Sequence, residues 1–138
     1  MSEYLRKRTF KAYKPKMCTI VTSEHDIQKQ IISLLRRYDD ILIVYTDIMS
    51  GLKFCGSQQS RLAFINYHKG MGYEKGVCDL VLFRRGVAWF VELKTAKGKL
   101  SPEQIAFGLK VTKLGYKHVV WRSLDDCQMW LKGINVVQ

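Results

Sequence analysis

The chain has 138 residues, enough for one domain with a sizeable core, and its 47% apolar and 25% charged residues are ordinary globular usage. Twenty-three Lys and Arg against 12 Asp and Glu leave a net charge of +11, which suits a polyanion such as nucleic acid; no strongly basic amphipathic helix offers itself to a membrane surface instead. Cys18, Cys55, Cys78 and Cys127 include no CxxC pair, and neither an apolar span nor a secretory leader is legible. Zinc clusters, disulfide frameworks and membrane insertion are therefore not expected, and the expectation is a soluble, intracellular protein with reduced thiols.

Residues 1–20 read as a basic arm and residues 21–138 as the folded domain. The arm carries Arg6, Lys7, Arg8 and Lys11, with Tyr4, Phe10 and Tyr13 interleaved. Such a segment can follow a phosphate backbone and stack on bases, or it can be a solvated tail. Ser23 and Asp26 then supply a capping signal for a helix with Ile27, Ile31, Leu34, Leu35 and Tyr38 at helical spacing. Glu24 lies in line with that inward stripe, and Gln28 follows one turn later. A first-turn acid complements the helix dipole, but one aimed inward needs a partner.

Residues 41–46 form an apolar run of strand type, and Ser57 caps a predicted second helix that ends at Gly70, with Leu62, Ile65 and Phe64 toward the core. Glycines 70, 72 and 76 loosen the approach to the next strands, and Lys69 and Lys75 lie where a phosphate would pass. Ser101, Pro102 and Gln104 make a strong helix start with an S-x-x-Q capping box. Ile105, Leu109, Val111 and Leu114 follow, and Gly115 closes the helix. Gln104 could serve the cap or reach a bound phosphate or water. Residues 117–122 are a further strand, joined to its predecessor by a right-handed crossover, and Ser123 caps a last helix. His25, His68 and His118 read as packing or surface residues.

The most informative stretch runs from Asp79 to Lys94, two apolar strands around a predicted turn at Arg85 and Gly86. With a two-residue loop, Arg84 faces Val87 and Asp79 faces Glu92. Two carboxylates about 5 Å apart repel by on the order of 3 kcal/mol at an effective dielectric of about 20. Lys94 lies on the Glu92 face. Two readings are open: a divalent cation held between the acids beside the lysine, or a salt-bridged hairpin in which Lys94 merely neutralises Glu92. Beyond Lys94, Lys97 and Lys99 frame the acids with positive charge. A cation site within a basic groove is what phosphodiester chemistry uses.

Asp79, Glu92-Leu93-Lys94, Glu24 with Gln28, and the downstream LSPEQ together resemble the PD-(D/E)XK nuclease superfamily, and within it the stand-alone VRR-NUC (virus-type replication-repair nuclease) domain. The resemblance covers roughly residues 22–126. It implies an α/β fold with a restriction-endonuclease-like αβββαβ core and a four-stranded mixed sheet. It also implies a magnesium-dependent DNA endonuclease, with Mn²⁺ able to substitute, selective for branched or junction DNA in repair, recombination or replication. Alternatives are a non-specific or nicking nuclease and a non-catalytic DNA-binding module. By the resemblance Asp79, Glu92, Glu24 and the Leu93 carbonyl are metal ligands, Lys94 positions or activates water and stabilises phosphorane charge, and Gln104 orients the site. Duplex or branched DNA and a second copy of the chain are the implied partners, as in Holliday-junction resolvases, with no organic cofactor. A bacteriophage origin, and so the cytoplasm of a bacterial host, is compatible with it. The family usually has proline before the strand aspartate; here it is Cys78, which implies altered loop rigidity with the chemistry retained.

Overall fold

The computed structural model describes residues 23–47, 49, 52 and 55–135. The expected basic arm, with Arg6, Lys7, Arg8 and Lys11, lies outside the described residues. Eight elements follow in order: α1 (Glu24–Leu35), β1 (Leu42–Tyr45), α2 (Gln58–Gly70), β2 (Leu80–Arg84), β3 (Val87–Leu93), α3 (Pro102–Lys113), β4 (Lys117–Trp121) and α4 (Leu124–Asn135). The strands form one sheet in the order β1-β2-β3-β4, with β1–β2 and β2–β3 antiparallel and β3–β4 parallel. This is the four-stranded mixed α/β sheet expected from the sequence.

The hairpin register also agrees. Arg84 pairs with Val87 and Leu80 with Val91, and both loop residues, Arg85 (φ 49) and Gly86 (φ 78), have the positive φ of a type I′ turn. Beyond Leu80 the ladder ends, so Asp79 and Glu92 are not the directly opposed pair the sequence predicts. The Asp79 N–H is donated to the Val91 carbonyl at 3.1 Å, and its carbonyl accepts from Thr46 N–H at 3.0 Å. This local kink lets the Asp79 side chain be used for something other than sheet pairing.

Strand alternation divides the core between two faces. On one, Leu80, Leu82, Trp89, Val91 and Leu93 pack against Ile27, Ile31 and Leu35 of α1 and Cys127 and Leu131 of α4. On the other, Val81, Ala88 and Phe90 meet Cys78 and Phe107 of α3. Each fully buried aliphatic side chain contributes about 1.5–3 kcal/mol, so the α1 face, with Ile31, Leu35, Leu80 and Leu82 all at 0% exposure, dominates the stability.

Two helices differ from expectation. No α2 side chain is fully buried: Leu62 is exposed, and Phe64 and Ile65 are half-buried. In α3, Ile105, Leu109 and Leu114 are exposed and only Val111 of the predicted stripe is buried. The face turned to the sheet is Gln104, Phe107, Gly108 and Val111, which obeys the same i, i+3, i+4, i+7 spacing. Gly108 decides the choice: a Cβ there would lie 2.7 Å from Nδ1 of His118 on β4, so the helix settles close to the sheet on this side.

The N-terminus of α3 is docked on the glycine-rich loop. Gly76 (φ +79) sits against its first turn, where a Cβ would overlap the Glu103 carbonyl group and crowd the Gln104 nitrogen. Lys75 pairs with Glu103 at 2.7 Å and Lys110 with Glu74 at 3.0 Å; exposed pairs of this kind add little energy. The close glycine contact therefore sets the position. Gly76→Ala is expected to cost roughly 2–4 kcal/mol in urea unfolding. Gly86→Ala, with similar φ but open space around it, is expected to cost only about 1–2 kcal/mol.

Candidate active site

The start of β2 and the end of β3 lie at one end of the sheet, and the N-termini of α1 and α3 arrive there too. Each helix start is anchored locally. Ser23 Oγ accepts the Asp26 N–H at 3.2 Å, and Ser101 Oγ accepts the Gln104 N–H at 3.2 Å. Helix N-termini carry partial positive charge, which favours carboxylates gathered between them.

Glu92 is the centre of the group, at 1% exposure. Its Oε1 accepts from Lys94 Nζ at 3.0 Å and from Gln104 Nε2 at 2.5 Å. Gln104 serves the cap and at the same time bonds a side chain of the site: its Oε1 accepts the Ser101 N–H at 2.9 Å, closing the capping box, while its amide nitrogen donates to Glu92. The cap thereby fixes which end of the amide faces Glu92. Lys94, 7% exposed, also lies 3.5 Å from Glu24 Oε1 at the start of α1. Asp79 Oδ2 accepts the Leu93 N–H at 2.7 Å, a bond that orients its carboxylate and ties the two strand ends together where the ladder has stopped.

The electrostatics follow from this crowding. Burial, and after it the charge of Asp79, pushes the Glu92 carboxyl up to about 7, against the opposing pull of Lys94. Asp79 is also raised, chiefly by burial, with the Leu93 N–H and Lys94 acting the other way. Burial disfavours the charged Lys94, but the hydrogen bond and charge of Glu92 and the charge of Glu24 outweigh it, so its pKa ends above the ordinary value. The site holds a protonated lysine among acids that resist ionisation.

Among the described residues Glu92 Oε2 is buried without a hydrogen-bond partner. Such an atom costs about 1–3 kcal/mol unless something meets it. A hard cation with oxygen ligands fits the donors present, namely the Asp79 and Glu92 carboxylates with the Leu93 carbonyl at the strand end. Among the described residues no group of three His, Cys, Asp or Glu side chains is arranged to hold an ion. Mg²⁺ needs no such cage, because it commonly takes one or two carboxylates and retains water. Glu24, expected as a further ligand, contacts the cluster through Lys94 at 3.5 Å.

The remaining candidates separate. Lys97 and Lys99 are exposed on the loop after β3, and Lys69 is exposed on α2; Lys75 is engaged with Glu103. Three residues not selected from sequence join the site. Asp47, beyond the end of β1, adds a further charge that raises Asp79, and the antiparallel pairing of β1 with β2 would have placed it there. Thr46 Oγ1 donates to the Cys78 carbonyl, fixing the residue before Asp79. Arg122 Nη1 donates to the carbonyls of Thr95 and Gly98, both at 2.7 Å, and so shapes the loop that carries Lys97 and Lys99. Cys78 is fully buried and its Sγ donates to the Leu80 carbonyl at 3.2 Å. Burial and then the charge of Glu92 push its thiol up to about 12, which disfavours the thiolate.

Among the solved structures similar to this chain, two match across 80% of it: one described as a VRR_NUC domain, with 22% identity, 96% of that chain covered and a TM-score of 0.54, and one described as a VRR_NUC domain protein, with 19% identity, 86% covered and a TM-score of 0.59. The fold is that of a VRR-NUC domain. No family model and no curated protein matches the chain. The VRR-NUC likeness thus rests on the path of the backbone, and the acid, acid and lysine constellation occupies one end of its sheet.

The raised Glu92 pKa has a defined consequence for stability. Between the ordinary value of 4.5 and about 7, the folded chain retains a proton that the unfolded chain has released. Stability contributed by this group is therefore lost as pH rises through that window. Glu92→Gln is expected to remove most of the effect, so that wild type loses about 1–3 kcal/mol more than the variant between about pH 5 and pH 8 in urea unfolding. Parallel pH profiles would show that Glu92 is not the titrating group.

Proposed function

We propose that the chain is a metal-dependent DNA endonuclease that hydrolyses phosphodiester bonds. The single observation that carries the reading is the buried Glu92, shared between Lys94 and Gln104 and left with one unpartnered oxygen, beside Asp79. Asp79, Glu92 and the Leu93 carbonyl would hold Mg²⁺, or Mn²⁺ in its place. When bound, the ion supplies Lewis-acid stabilisation of a phosphoryl oxygen and lowers the pKa of a water.

The protein's own groups do the rest. Lys94 remains protonated, as its raised pKa requires, so it acts as a fixed positive charge toward the developing phosphorane rather than as the base. Gln104 holds Glu92 in orientation from a helix start that cannot rotate without breaking its own cap. Glu24 keeps the Lys94 ammonium from collapsing wholly onto Glu92. The net charge of +11, with Lys97 and Lys99 exposed near the acids, supplies the field that draws a polyanion to the site. Lys69 and the basic arm add to that field.

Asp79→Ala or Lys94→Ala is expected to lower cleavage at least 10²–10³-fold while leaving DNA affinity in EDTA within about threefold, a difference of roughly 0.7 kcal/mol. Four-way junction, flap, duplex and single-strand substrates, each incubated with Mg²⁺, Mn²⁺ or EDTA, test the activity and its selectivity together. Preference for the branched substrates would fit a role in DNA repair, recombination or replication. Absence of metal-dependent cut products on every substrate would leave only a DNA-binding module.

A homodimer is the assembly we propose. Leu42 and Phe83 are directly paired across β1 and β2 and are 61% and 42% exposed, with Val44 beside them at 38%. An apolar patch on an edge of the sheet suits a two-fold contact, which would set two sites on one branched substrate. Sedimentation should give a dimer for the wild type and a monomer for Phe83→Asp; a wild-type monomer at concentrations that support cleavage would remove this assembly.

A further inference from the structure

A groove of about 400 Å³ lies between α1 and β1, lined by Gln28, Ile32, Arg36, Ile43, Tyr45 and Leu80. Its construction follows from two periodicities. Gln28 and Ile32 of α1 and its C-cap residue Arg36 are successive i, i+4 positions along one flank, and Ile43 and Tyr45 are alternate residues on the face of β1 turned toward that helix. Leu80, opposite Tyr45 in the sheet, lies between the two walls. Among the described residues β1 is an edge strand of the sheet.

The groove is continuous with the candidate active site at one end. Gln28 follows Glu24 by one helical turn, and Leu80 follows Asp79. Tyr45 Oη donates to Asp47 Oδ2 at 3.4 Å, and the charge of Asp47 bears on Asp79. The other end carries the Arg36 side chain, some eight residues or about 12 Å along the helix from Gln28. An anionic chain lying in the groove with one phosphate at the carboxylates would meet a guanidinium farther on.

We propose that this groove receives an unpaired nucleotide of the substrate strand next to the scissile phosphate, its base stacked on Tyr45 over the half-buried Ile32 and Ile43, Gln28 bonding a base edge and Arg36 a phosphate. This inference rests on the nuclease reading for the position of the scissile bond. The residue types select the occupant. A paired base has both faces covered by its neighbours and offers only its edge, whereas an exposed tyrosine ring beside an apolar floor requires a free face. The volume is at the low end of small-ligand pockets and is of the size one nucleoside fills. A donor-and-acceptor amide and a guanidinium are what a base edge and a phosphate diester need.

The test uses the full chain in EDTA, so that binding is read without cleavage, on a 15-nucleotide single strand, the matching duplex, and a flap with 2-aminopurine placed singly at each unpaired position near the junction. Tyr45→Ala is expected to weaken single-strand and flap binding about tenfold, with duplex affinity changed less than twofold, and to abolish the position-specific 2-aminopurine quenching. Tyr45→Phe is expected to keep both, which separates lost stacking from a disturbed fold. Arg36→Gln should weaken single-strand binding and reduce its salt slope by about one. Equal loss on single strand and duplex, or unchanged quenching in Tyr45→Ala, overturns the groove assignment. Cleavage by the wild type is scored separately with Mg²⁺: a chain that quenches but never cuts would fail the nuclease reading alone, and one that cuts normally with no quenching at any position would fail this one alone.

Discussion

One carboxylate oxygen, Oε1 of Glu92, takes hydrogen bonds from Lys94 and from Gln104 at once, and the architecture of the sheet end is organised around meeting that demand. Glu92 comes from the end of β3, Lys94 from the residue just past it, and Gln104 from the first turn of α3. A charge with 1% exposure is costly unless paired and hydrogen-bonded, so these elements must arrive together. The cap of α3 and the docking of Gly76 against the same turn are what hold the third partner in place.

That constraint leaves the site extensively hydrogen-bonded and yet electrostatically incomplete. The lysine and the amide occupy one oxygen of Glu92 and leave the other buried and unmet. Asp79 and Asp47 add negative charge nearby, and Glu24 shares the lysine. A fold selected only for stability would gain by replacing such a group with apolar side chains of similar volume. Retaining it is intelligible if the missing partner is an ion and a phosphate supplied by function, which is the ground on which the proposed chemistry stands.

The same sheet end links the groove along α1 to the acids. The inner line of α1, Ile27, Ile31 and Leu35, secures the helix to the sheet, so the adjacent line of Gln28, Ile32 and Arg36 is carried at a constant distance from β1. The burial that stabilises the domain thus sets the spacing of the surface proposed to read substrate. On the opposite face α3 contributes Gln104 inward and leaves Ile105 and Leu109 exposed, because Gly108 permits close approach only on its own side.

How much of this was legible beforehand depends on the range of the interaction. The type I′ turn at Arg85 and Gly86, the hairpin register through Leu80, the capping box of Ser101 and Gln104 and the acid, acid and lysine spacing are local, set by a few neighbouring residues, and the sequence alone determined them. Tertiary structure decided what local rules cannot contain. It ended the β2–β3 ladder before Asp79, gave Gln104 its second hydrogen bond, set Lys94 against Glu24, brought Asp47 across from the neighbouring strand and used Arg122 to fix the loop after Lys94. It also left Leu62 and Ile105 outside the core, since a helix with apolar residues on more than one flank has its buried side chosen by what it packs against.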